Sequence, residues 1–173
     1  MPAAFVRFAG CNLDCAFCDT DHRPQADMAA EEIVERVVAL FPIGKHAGGA
    51  VVLTGGEPML QVDRRLLTAL IAERLWIALE TNGTVEMDAV FCLFDWVCVS
   101  PKQGGELAVR KGDELKVVYE GQPLAQYDDL ARSFGARYLQ PCSMQNIPET
   151  IAAVKENPTW RLSFQSQKLL GIR

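Results

Sequence analysis

The sequence predicts an α/β fold: an incomplete, partly open (β/α) barrel of parallel strands with fewer helices than strands. Three observations point to it. Strand and helix patterns alternate along most of the chain, the order that builds a parallel sheet with helices packed against it. Between Asp88 and Lys116 the alternation lapses, and strand patterns follow one another with little helical pattern between them. At 173 residues the chain is also short for a closed eightfold barrel, which takes about 250.

Ala3 to Ala9 reads as the first strand, and a cysteine-bearing loop follows it directly. Asp27 is placed to cap a helix in which Ile33, Val37 and Phe41 share a face. Glu31 and Glu32 suit the positive end of its dipole. A glycine-rich loop, Gly44 to Gly49, leads to the strand Ala50-Val51-Val52-Leu53. A helix over Asp63 to Arg74 precedes the strand Trp76-Ile77-Ala78-Leu79. Strands follow at Trp96 to Val99 and Leu115 to Tyr119, then a helix at Leu124 to Phe134 and a strand at Arg137 to Leu139. A last helix at Pro148 to Glu156 leads to the strand Trp160 to Phe164. With no internal repeat and no long linker, residues 1–173 read as one domain.

Composition narrows the class. Apolar content of 49% and charged content of 23% are those of an ordinary globular protein. No apolar run approaches the ~20 residues that span a membrane. The net charge is −5 and the basic residues are scattered, which disfavours nucleic acid and membranes as partners. Nothing at the N-terminus reads as a signal peptide, so a cytoplasmic location with reduced thiols is expected.

The chemistry concentrates in Cys11-Asn12-Leu13-Asp14-Cys15-Ala16-Phe17-Cys18, a C-x3-C-x2-C run. Three thiolates so close suit three irons of a 4Fe–4S cubane and leave the fourth iron open to a ligand that reacts. Zinc is the competing reading, with Cys11, Cys15, Cys18 and His22 as a Cys3His set. Cys92, Cys98 and Cys142 have no ligand-like spacing, and Cys92 and Cys98 fall in apolar stretches as small core residues.

Ligands in parallel sheets bind at the carboxyl ends of the strands, and the polar tips of this sequence fall there in succession. Thr54-Gly55-Gly56-Glu57-Pro58 follows the second strand, and its paired glycines allow close backbone approach. Glu80-Thr81-Asn82-Gly83, Ser100-Pro101-Lys102 and Gln140-Pro141-Cys142-Ser143 follow later ones. Each alone reads as a turn. Together they describe a rim with many hydrogen-bonding groups for an extended polar ligand.

These motifs occur with Phe5-Val6-Arg7-Phe8-Ala9-Gly10-Cys11-Asn12-Leu13, Cys18-Asp19-Thr20, Asp113-Glu114-Leu115-Lys116-Val117-Val118 and an ending from Leu162-Ser163-Phe164-Gln165 to Gly171-Ile172-Arg173. In that order the chain resembles the 7-carboxy-7-deazaguanine synthases, a family of radical S-adenosylmethionine (SAM) enzymes. The resemblance implies a shortened radical SAM barrel, usually a homodimer, with an electron donor such as flavodoxin. It also implies conversion of 6-carboxy-5,6,7,8-tetrahydropterin to 7-carboxy-7-deazaguanine with loss of ammonia, on the way to queuosine.

By the same resemblance, Cys11, Cys15 and Cys18 hold a 4Fe–4S cluster and Thr20 ligates Mg2+. Gly56, Ser100, Pro101, Lys102, Gln140, Pro141, Cys142 and Ser143 bind SAM. Arg7, Thr54 and the terminal Arg173 bind the pterin. A guanidinium at Arg7 suits a carboxylate by paired hydrogen bonds, and a terminal carboxylate suits the N–H pair of an aminopyrimidinone edge. The sequence departs from the family in two places. Members carry a further strand and a Gln-Gly-Glu-Gly-like segment before the residues matching this first strand, and histidine where Gln167 stands. The other readings are a different small radical SAM enzyme, such as a glycyl-radical activase, and a zinc-stabilised binding module.

Overall fold

The computed structural model describes residues 2–42 and 48–171. Most of the glycine-rich loop expected at Gly44 to Gly49, and Arg173, lie outside the described residues. The strands are β1 (Ala3–Phe8), β2 (Ala50–Gly55), β3 (Trp76–Thr81), β4 (Trp96–Val99), β5 (Gly112–Tyr119), β6 (Phe134–Pro141) and β7 (Arg161–Leu162). They form one seven-stranded sheet in chain order, and every neighbouring pair is parallel. A parallel sheet that skips no strand is the wall of a barrel, here left open with β1 and β7 as its edges.

The helices are α1 (Ala30–Ala39), α2 (Arg64–Ala72), α3 (Asp128–Ala131), α4 (Ile147–Glu156) and α5 (Ser166–Leu170). Only a short 3₁₀ turn, Phe91–Leu93, separates β3 from β4, and no helix among the described residues separates β4 from β5. The lapse in helical pattern across that region is therefore structural.

Strand side chains alternate between two faces. Val51, Leu53, Ile77, Leu79, Val97, Val99, Leu115, Val117 and Leu139 form one row, and none is more than 1% exposed. They join Val34 and Val37 of α1 and Leu66, Leu67 and Leu70 of α2 in one core. Burying each such side chain stabilises by roughly 1.5–3 kcal/mol. The opposite row runs Arg7, Thr54, Glu80, Cys98 and Glu114 on successive strands, with Arg7 beside Thr54, Glu80 beside Cys98 and Cys98 beside Glu114 in register. That row faces the barrel interior and carries the polar groups.

Several boundaries differ from the sequence expectation. α1 begins at Ala30 with Ala29 at its N-cap and no side-chain cap, so Asp27 stands outside the helix. The segment expected as a helix from Leu124 to Phe134 is a 3₁₀ turn, Leu124–Tyr127, followed by the four residues of α3. Leu124, Tyr127 and Leu130 recur every third residue, which a 3₁₀ turn satisfies as well as an α-helix does. Phe134 is taken by β6, where it pairs with Gly112. The last strand shortens to Arg161–Leu162, and Trp160 is buried beside it. Cys98 is buried as expected, but Cys92 is exposed. Its neighbours Phe91 and Leu93 pack against the core from the same tight turn, which leaves Cys92 facing outward.

Asp63 is a true cap, accepting from the Leu66 N–H at 2.9 Å. Asp63→Ala should therefore cost about 1 kcal/mol in denaturant unfolding of the metal-free protein. Asp27→Ala should stay within about 0.5 kcal/mol of the parent, and equal losses would contradict the cap assignment.

Candidate functional site

The tips of the strands gather around a cleft at the carboxyl end of the sheet. Cys11, Cys15, Cys18, Thr20 and His22 line it from the loop after β1, and Thr54, Gly55 and Gly56 from the end of β2 and the turn that follows. Glu80, Thr81, Asn82, Ser100, Lys102, Lys116, Gln140, Ser143 and Gln165 complete the wall. The cleft and its open, solvent-filled mouth together hold about 990 Å³ outside protein atoms.

The turn after β2 is held by backbone contact with the cysteine loop. Gly56 donates to the Phe8 carbonyl and Glu57 to the Gly10 carbonyl, each at 2.9 Å. A Cβ on Gly56 would lie 1.8 Å from the Gly10 oxygen, so no larger residue fits there. The close backbone approach expected of this glycine pair is thus made first of all to the chain's own cysteine loop.

Glu57 is fully buried. Its Oε1 accepts from the Met59 N–H at 3.0 Å and the Thr81 hydroxyl at 2.8 Å, and its Oε2 accepts from the Asn82 N–H at 2.7 Å. One carboxylate therefore joins the turns after β2 and β3. Nothing in the sequence reading gave Glu57 a role. Its place directly after the two glycines, in a tip otherwise built from turn residues, is the signal that could have found it.

Lower on the interior wall, Glu80 accepts from the Thr54 hydroxyl at 3.2 Å and from Lys116 Nζ at 2.8 Å. Burial works against its charge, but the Lys116 ammonium and both hydrogen bonds hold its carboxyl below the usual range. Burial likewise opposes the Lys116 charge, and the charge of the Glu80 carboxylate hydrogen-bonded to it outweighs that cost, raising the ammonium above its ordinary value. Lys102 donates to the Ser100 carbonyl at 2.6 Å and hydroxyl at 2.7 Å. Burial, with Lys116 adding like-charge repulsion, pushes Lys102 down to about 8. The roles of Glu80 and Lys116 were not read from the sequence, because only the folded barrel brings Thr54 and Lys116 to the same Glu80 carboxylate.

The structure brings most of the expected site residues to this cleft. Arg7 stands apart: it is exposed on the edge strand, its guanidinium 5.7 Å from the centre of the Phe5 ring. Pro101, Pro141 and Cys142 lie in the lining segments without lining the cleft themselves. Ser143 and Met144 both take positive φ, 47° and 63°, conformations that cost energy in residues with a side chain and mark a segment held by its surroundings.

The donor chemistry fits an iron–sulfur cluster. Cys11, Cys15 and Cys18 are free thiols, all facing the cleft, and soft sulfur donors suit iron–sulfur centres. Burial raises the Cys15 thiol. Among the described residues no group of three or more His, Cys, Asp and Glu side chains converges on a single-ion position.

Replacing Glu57 by Ala would leave three buried or half-buried donors without their acceptor, each costing about 1–3 kcal/mol. Glu57→Ala should lose at least about 3 kcal/mol in urea unfolding of the metal-free protein; a loss below about 1 kcal/mol would show that the carboxylate is not the link between the two turns.

Known proteins agree with this geometry. Residues 5–111 match the family model of the radical SAM superfamily. The chain is 44% identical over 173 residues to the 7-carboxy-7-deazaguanine synthase of Bacteroides thetaiotaomicron, across 99% of this chain and 88% of the relative. It is 41% identical over 194 residues to the enzyme of that name from Burkholderia multivorans, across 99% and 90%. The crystal structure of QueE from Escherichia coli superposes with a TM-score of 0.71 at 25% identity, over 94% of this chain and 85% of that one. SuiB of Streptococcus suis shares the fold alone, with a TM-score of 0.63 at 11% identity, over 94% of this chain and 48% of that one. With three cysteines at the mouth of an open parallel barrel and close relatives along nearly its whole length, the chain belongs to the 7-carboxy-7-deazaguanine synthase family of the radical SAM superfamily.

Proposed function

We propose that this protein is a radical SAM lyase converting 6-carboxy-5,6,7,8-tetrahydropterin to 7-carboxy-7-deazaguanine with release of ammonia, for 7-deazapurine (queuosine) biosynthesis. The observation that carries this reading is a single cleft in which three free cysteines face a polar wall of Thr54, Glu80, Ser100, Lys102, Lys116 and Gln140. A bound 4Fe–4S cluster with SAM would supply one-electron reduction that leads to hydrogen abstraction from the substrate. The chain's own work is to hold, orient and shield.

In this reading Cys11, Cys15 and Cys18 are the cluster ligands. Lys102, fixed on Ser100, offers a positive charge to the SAM carboxylate. Gln140 and Ser143 offer hydrogen bonds to the nucleoside, while Pro101, Pro141 and Cys142 shape those segments and Gly56 leaves backbone accessible. Thr54 and the Glu80–Lys116 pair suit a pterin: the carboxylate can accept ring N–H groups, and the ammonium can face the substrate's carboxyl group. Arg7, beside Thr54 in register, reaches the pterin by turning from the Phe5 ring toward the cleft, and the Arg173 carboxylate serves the aminopyrimidinone edge.

Thr20 lines the cleft two residues after Cys18 and serves as a Mg2+ ligand, with substrate oxygens and water completing the shell. Among the described residues no helix is long and apolar enough to cross a membrane. We take the working form to be a cytoplasmic homodimer reduced by a flavodoxin-like donor.

Anaerobic incubation with the carboxy-tetrahydropterin, SAM, reductant and Mg2+ tests the reading: 7-carboxy-7-deazaguanine and ammonia should form in equal amounts. A reconstituted protein that cleaves SAM but forms no deazapurine would overturn the substrate assignment. Cys11→Ala, Cys15→Ala and Cys18→Ala should each abolish cluster absorbance, whereas Cys92→Ala and Cys98→Ala should retain it. Thr20→Ala should keep the cluster yet need more Mg2+ for half-maximal rate, and an unchanged Mg2+ titration would remove Thr20 from the metal site.

A further inference from the structure

The three cysteine sulfurs are not equivalent in what surrounds them. Cys18 Sγ lies 3.8 Å from the Thr20 carbonyl oxygen, a contact in which the thiol donates and which a metal-bound thiolate cannot keep. Cys11 Sγ instead receives a donor: Asn82 Nδ2 lies 3.9 Å from it. Among the described residues it is the one cysteine of the three that accepts a hydrogen bond from a side-chain amide.

That amide cannot turn around. Asn82 Oδ1 accepts from the Thr84 N–H at 2.9 Å and from the Thr84 hydroxyl at 2.7 Å. A backbone N–H is an obligatory donor, so Oδ1 must face Thr84 and Nδ2 must face the cysteine loop. The second Nδ2 hydrogen goes to Asn12 Oδ1 at 3.1 Å, and Asn12 Nδ2 donates to Thr84 Oγ1 at 2.7 Å, closing a ring of three side chains. Asn82 is itself 7% exposed, and its backbone N–H is anchored on buried Glu57. A neutral dipole is thus held with its positive end toward one sulfur.

Hydrogen bonds to cluster sulfurs draw electron density from them and are among the factors that set an iron–sulfur potential. We propose that Asn82 is a positioning residue for electron transfer: through Cys11 it raises the reduction potential of the cluster and so favours the reduced state that the chemistry needs. The inference rests on the proposed function only in taking Cys11 as a cluster ligand.

The test uses the full-length protein, reconstituted anaerobically without substrate. Iron and sulfide are assayed, and the cluster's midpoint potential is read by EPR during a redox titration. The parent should hold about four irons and four sulfides per chain. Asn82→Leu, which removes the donor without adding charge, should shift the midpoint to lower potential with iron content unchanged. Asn82→Asp, which keeps the acceptor facing Thr84 but places a negative charge near Cys11, should shift it further in the same direction. Asn12→Ala breaks the ring while leaving the Asn82 donor held by Thr84, and should titrate like the parent.

A fully loaded Asn82→Leu protein with the parent's potential would overturn the proposal while leaving the function intact. So would a shift in Asn12→Ala as large as that in Asn82→Leu, since it would assign the effect to loop rigidity. If Asn82→Leu takes up no iron, the Asp variant decides, and a parent-like potential there overturns the proposal. A parent protein that binds no cluster would sink both the proposal and the function beneath it.

Discussion

A carboxylate with no solvent around it must be satisfied by donors, and Glu57 is satisfied by donors from its own turn and from the turn after β3. The cleft depends on this. The backbone of Gly56 and Glu57 is in turn bonded to Phe8 and Gly10, so one buried acid fixes the relative position of three strand ends. Removing any one of these donors would leave charge in a dry site, which is why such groups hold geometry more firmly than their net contribution to stability suggests. The cysteine loop, irregular in itself between β1 and α1, takes its place from this frame.

Charge inside the barrel is arranged by the same logic of pairing. Lys116 and Glu80 neutralise each other, with Thr54 donating to the same carboxylate, and Lys102, without a carboxylate hydrogen-bond partner among the described residues, leans on the Ser100 oxygens instead. The difference has a chemical consequence. The paired lysine holds its proton more firmly than a free lysine, while the lone one is lowered to about 8. A lone buried ammonium gains most from an anionic ligand, which suits the end of the cleft where Lys102 stands to a carboxylate-bearing cofactor.

The open side of the barrel explains the contrast between Arg7 and the rest of its row. Thr54, Glu80 and Cys98 are flanked on both sides by strands, whereas Arg7 lies on the edge strand and rests against Phe5, itself 57% exposed. The same period of two that sends Leu53 into the core sends Arg7 and Thr54 to the interior face.

Local sequence determined the elements whose signals are local. The apolar runs of β2, β3 and β4, the start of α2 at Asp63 and the three-cysteine spacing were legible because each is a pattern of neighbours in the chain. Where two local patterns competed, the sequence was ambiguous: the spacing of Leu124, Tyr127 and Leu130 permits a helix, and pairing of Phe134 with Gly112 shortened it. The strand-end motifs announced a site as a set, yet not what each residue does in it. Glu57 as the link between two turns, Glu80 paired with Lys116, and Asn82 aimed at Cys11 join residues 24 to 71 positions apart. The order of the residues therefore determined the fold class and the cluster motif, while parallel register alone decided which polar tips meet, because a strand's partners are fixed by packing across the sheet and not by its neighbours along the chain.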